Sequence, residues 1–89
     1  MQQQILEREI HEIVDIVERV GNGEDPISAL TELSRAEAPS GFSEERRNGF
    51  AELLNSAIAV VDMIVRHPER HRKEFGPALD ALKRKAARV

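Results

Sequence analysis

The chain has 89 residues, 33% charged and 40% hydrophobic, with three phenylalanines as its only aromatics and no cysteine. A chain of this length is expected to form one domain and to bury only about 60–65% of its unfolded surface. Without cysteine it has no disulfide framework, no thiolate nucleophile and no Cys-type zinc site. The net charge of −3 is unevenly spread: residues 1–65 carry thirteen acids against five arginines, and residues 66–89 carry eight Lys or Arg against Glu69, Glu74 and Asp80.

The first helix is expected over about Gln3 to Val20. Leu6, Ile10, Ile13, Val17 and Val20 recur at the alternating three- and four-residue spacing of a packed helical seam. Val14 and Ile16 widen the face, and Arg8–Glu12 and Asp15–Arg19 fall at i,i+4, where opposite charges meet on a helix. Glu7, Arg8, Glu9, His11 and Glu12 interrupt any signal-peptide apolar stretch, so a soluble, cytoplasmic chain is expected. Gly21-Asn22-Gly23 ends the helix, because these residues tolerate a left-handed cap.

Asp25-Pro26 opens a second helix, with Asp as N-cap and Pro at the first helical position, where its missing N–H costs nothing. Ile27, Leu30 and Leu33 form its short apolar stripe, which fades near Ala38. Pro39-Ser40-Gly41 reads as a loop.

Ser43 caps the third helix, with Glu44 and Glu45 placed against the positive end of the helix dipole. From Phe50 to Val65 apolar residues cover most of the helical cylinder, leaving only the polar seam Glu52–Asn55–Ala59–Asp62–Arg66. A helix so apolar needs several neighbours, so it is predicted to lie at the centre of a bundle. Its uninterrupted apolar run, Ala57 to Val61, is far short of the roughly 20 residues of a membrane span.

His67 precedes Pro68 and is therefore biased away from helical geometry. A further short turn over Glu69 to Phe75 is expected, before Gly76-Pro77 breaks or kinks the chain. The last helix, about Pro77 to Arg88, carries Leu79, Leu82, Ala86 and Val89 on one face. The predicted fold class is all-α, a four-helix bundle-like domain with a short extra turn and the third helix central.

Reactive constellations are scarce. His67, His71 and Glu74 have the spacing of three ligands on one helix face. However, Pro68 separates the two histidines structurally, and Arg66, Arg70, Arg72 and Lys73 repel a cation. Asp62 is the lone charge in an apolar stretch, but Arg66 one turn later pairs with it. No phosphate-binding loop, nucleophile motif or paired-acid arrangement occurs. The expectation is a protein without enzymatic activity, cofactor or metal.

What remains is surface. The acidic flank of the first helix (Glu7, Glu12, Asp15, Glu18) and the basic C-terminal face (Arg70, Arg72, Lys73, Lys83, Arg84, Lys85, Arg88) are the candidate partner-binding residues. The function expected is a small regulator, adaptor or inhibitor that binds another protein or its own copy and acts by occlusion or tethering, with charge steering the encounter. Reversing Arg84 and Lys85 to Glu is expected to weaken binding without loss of helicity. The alternative is nucleic-acid binding through the basic segment, which is salt-sensitive by nature. A helix-turn-helix reading of helices two and three would commit Phe50, Leu53 and Leu54 to a groove, a poor use of core residues, and the basic segment carries few aromatics for stacking. The seam of the first helix leaves a homodimer open, as does the alternative that one chain covers it entirely.

Overall fold

The computed structural model describes the chain from Gln2 to Val89, with side-chain detail for residues 8–71 and 73–89. Four helices form: α1 (Gln2–Gly21), α2 (Pro26–Ser34), α3 (Glu44–Arg66) and α4 (His71–Arg88), with one 3₁₀ turn at Pro68–Arg70 between α3 and α4. No strand occurs among the described residues. The all-α bundle follows from the apolar periodicity, and its helix boundaries follow from local chemistry.

α1 ends where the Asn22 N–H bonds the Glu18 and Arg19 carbonyls and the Gly23 N–H bonds Val20. Gly23 takes φ = 105°, a left-handed conformation that costs a residue without Cβ little. Asp25 then caps α2, its Oδ1 accepting from the Ile27 N–H at 3.1 Å, with Pro26 in the first turn. α2 stops at Ser34, earlier than its apolar stripe suggests. Pro39 holds Ala38 away from helical geometry, and the chain from Ala36 to Pro39 has no regular structure. Ser43 Oγ accepts from the Arg46 N–H at 3.2 Å and starts α3. His67, at φ −136° and ψ 70°, ends it.

α1 and α3 pack on each other, and each also packs on α2 and α4, which stand on opposite sides and make no close backbone contact. α3 is therefore central, and α1 shares that place. Ile13, Val17, Leu33, Leu53 and Val61 are the largest fully buried side chains, and no polar or charged residue is buried among the described set. Hydrophobic burial thus holds the bundle together almost unaided.

Three expectations need correction. Of the two readings of Gly76-Pro77, a break or a kink, the break is excluded: α4 runs unbroken from His71 to Arg88, and the short extra turn forms at Pro68–Arg70 instead of reaching Phe75. Pro77 removes only its own bond to the Lys73 carbonyl. Gly76 lacks the Cβ that a residue before proline would drive against the ring. Phe75 and Leu79, on either side of the pair, both pack on the core and keep the two halves in line. Second, α2 buries only part of its predicted stripe: Leu33 is buried and Leu30 packs partly buried against the core, joined by Ala29, while Ile27 stays 54% exposed. Third, of the two charge pairs expected on α1, Asp15–Arg19 forms at 3.4 Å, whereas no Arg8–Glu12 ion pair occurs among the described residues.

Candidate functional site

α1 and α4 run antiparallel. Near the C-terminus of α1 the Phe75 ring lies directly over Gly21, where no Cβ intervenes. Further along, Lys83 Nζ reaches Glu18 Oε1 at 3.5 Å. Beyond that pair the two helices enclose an open groove of about 870 Å³. Its floor is apolar: Ile10 and Val14 from α1, Ala86 from α4 and Val89 just beyond it. Glu12, Asp15 and Glu18 form the α1 rim, opposite Lys83.

Arg46 closes one end of this groove. Its Nε donates to the Val89 carbonyl at 2.9 Å, and its guanidinium stands 4.3 Å from the centroid of the Phe42 ring, a cation–π arrangement. Phe42 in turn meets Phe50 edge-on, with centroids 6.0 Å apart. The start of α3 is thereby tied to Val89, the residue that follows α4.

A second, smaller depression of about 450 Å³ separates α1 from the end of α2. Arg19 dominates it. Its Nη2 donates to Glu32 Oε2 at 3.2 Å, while Nε lies 3.4 Å from Asp15 and 3.5 Å from Glu24 without hydrogen-bond alignment to either. Those two are through-space attractions between half-exposed groups, so together they contribute little more than about 1 kcal/mol. The Glu32 bond links α2 to α1, and the Glu24 attraction holds the Gly23 turn beside them.

The structure sorts the predicted partner-binding residues into three sets. Glu12, Asp15, Glu18 and Lys83 come together on the groove. Arg70, Lys73, Arg84 and Arg88 are exposed along the 3₁₀ turn and α4. Lys85 turns toward α3, donating to Ser56 Oγ at 2.9 Å, so Arg84 and Arg88 are the better pair for charge reversal. Glu7 and Arg72 lie outside the described side chains. The sequence reading missed Arg8, His11 and Arg46 at the groove. Arg46 could not have been found that way, because its carbonyl partner is 43 positions distant.

The residues weighed for chemistry have ordinary neighbours. Asp62 Oδ2 lies 2.9 Å from Arg66 Nε on the polar seam of α3. His67 Nδ1 is 3.5 Å from Glu69 Oε1, and the His71 ring packs edge-on against Phe75. No group of three His, Asp or Glu side chains converges as a metal-binding cluster among the described residues. α3 is long and apolar enough to cross a membrane by length and composition, but Phe50, Leu53, Ala57, Val61 and Ile64 spend that apolarity on the bundle core. No family model, curated protein or solved structure matches this chain.

Proposed function

We propose that this chain is a non-enzymatic protein–protein interaction module, a small regulator, adaptor or inhibitor that acts by occluding or tethering its partner. The observation that carries this reading is the α1–α4 groove, an apolar floor between a mainly acidic α1 rim and Lys83 of α4. A floor of aliphatic side chains gives affinity by excluding water, and rims of opposite sign select a partner by orientation. A soluble, cytoplasmic setting belongs to the same proposal, and recovery of the chain in a washed membrane pellet would count against it.

The test is retention from a native extract on the immobilised chain, with Arg84→Glu/Arg88→Glu as the comparison. A discrete protein retained by the unaltered chain and lost by the variant, at unchanged helicity in circular dichroism, supports the reading. Retention of nucleic acid alone, or of nothing by a chain that also sediments as a monomer, overturns it.

Nucleic-acid binding is the second reading, and one observation favours it. Because α4 is continuous, Lys73, Arg84 and Arg88 stand on one rigid, exposed rod. A gel shift that weakens steeply with salt would support this alternative. Absence of any shift at low salt would remove it.

A further inference from the structure

We infer that the partner seated on the α1–α4 groove is a second copy of this chain, related to the first by a two-fold axis running along the groove. The inference rests on the protein-binding reading above and narrows it to one occupant.

The argument comes from symmetry and charge. A two-fold axis parallel to α1 and α4 keeps every residue at its own height and exchanges the two sides of the groove. α1 of the second copy then lies across from α4 of the first, and the reverse contact forms at the same time, as an isologous interface requires. A face that is acidic on one side and basic on the other is therefore complementary to itself. The α1 side contributes Glu12, Asp15 and Glu18 against Arg8 and His11, a net acidic balance, and the α4 side contributes Lys83, with Arg84 exposed next to it outside the groove lining.

Heights can be read from the intrachain contacts. The Glu18–Lys83 ion pair and the Phe75 ring on Gly21 fix the antiparallel register. Continued toward the N-terminus of α1, that register brings Asp15 level with Arg84 to within about 4 Å, less than one helical turn. Both side chains point away from their own core. Asp15 lies two positions before Val17, which is 0% exposed, and Arg84 two positions after Leu82, which is 2% exposed. Asp15 keeps 65% of its side chain in solvent despite its contact with Arg19, so it is free to reach a further cation. The dimer would thus carry two Asp15–Arg84 pairs, flanking the apolar floor of each groove. Asp80 is the one opposing charge on this part of α4, level with both Glu18 and Arg19.

Exposed ion pairs are individually weak and the floor is narrow, so the dimer is expected to dissociate at a Kd on the order of 10–100 µM. Sedimentation velocity over a concentration series should show the 10.0 kDa monomer giving way to twice that mass, with added salt favouring the monomer. Asp15→Arg alone and Arg84→Asp alone should each weaken self-association roughly tenfold, because each puts like charges at both pairing positions. An equimolar mixture of the two variants should recover it as a heterodimer, since both pairs are then of opposite sign. Circular dichroism checks that each variant stays folded. A mass that remains monomeric up to about 1 mM overturns the inference, as does a dimer indifferent to both substitutions or a mixture that shows no recovery. A monomer that still retains a foreign protein from extract sinks only the second copy. A monomer that retains none sinks the broader reading too.

Discussion

α3 and α4 are both long helices with apolar residues at regular spacing, yet the bundle uses them differently. α3 buries a row of five residues, Phe50, Leu53, Ala57, Val61 and Ile64. α4 fully buries Leu82 alone, and Phe75, Leu79, Ala86 and Val89 are only partly covered. One helix is wrapped by three neighbours; the other rests on the flank of a pair. Stability is therefore concentrated in α3, while α4 leaves most of its circumference free for charge.

Truncating one fully buried leucine in each helix tests that contrast most strongly. Leu53→Ala should cost about 3–4 kcal/mol, because Leu53 is enclosed on all sides and its cavity cannot collapse. Leu82→Ala should cost less, about 2–3 kcal/mol, since solvent-facing neighbours can settle into the gap. Hydrogen exchange should separate them further. Leu53→Ala should speed exchange in all four helices together, and Leu82→Ala should release α4 amides ahead of those from Ala57 to Ile64. Equal protection of α4 and α3 in the Leu82→Ala protein would erase the distinction.

Pro77→Ala addresses the same helix with a smaller expected effect of opposite sign. Restoring the N–H returns a bond to the Lys73 carbonyl, and proline costs up to about 3 kcal/mol within a helix. Pro77 is exposed, so water already solvates that carbonyl and the gain should be nearer 1–2 kcal/mol. A loss of stability in chemical denaturation would mean that proline's fixed φ holds α4 onto α1.

The limits of reading this fold from sequence lie in contacts, not in patterns. Both caps, at Asp25 and Ser43, were legible because each is a one-residue chemical decision beside a helix start. The core row of α3 was legible because its period is strong. The continuity of α4 was not: Gly and Pro are each helix breakers alone, and only the packing of Phe75 and Leu79 across them decides the outcome. Ile27 failed for a related reason. α2 is nine residues long and packs between α1 and α3, so its buried face centres on Ala29 and Leu33 and leaves Ile27, at its first turn, outside. The acidic and basic flanks were visible in composition, but their meeting across one groove is a property of the α1–α4 pairing.

Two glycines give the finest test of how α4 is attached, because each touches that helix and only one is necessary. A Cβ at Gly49 would lie 3.5 Å from Val89 Cγ2, an ordinary contact. Gly49→Ala should therefore gain the usual helix-interior benefit of about 0.5–1 kcal/mol. A Cβ at Gly21 would collide with Phe75 Cε2 and lie 2.6 Å from Cζ, so the ring must leave its seat. Overpacking costs about 1–3 kcal/mol, which exceeds the propensity gain, and Gly21→Ala should lose about 1 kcal/mol net. Phe75→Leu shortens the side chain at the point of collision, so Gly21→Ala should cost less in that background than alone. Thermal melts of the four proteins form a double-mutant cycle whose interaction energy isolates this contact. Additive effects would mean that Phe75 does not rest on Gly21, and that the attachment of α4 lies in Leu79, Leu82 and its polar contacts to α1 and α3 instead.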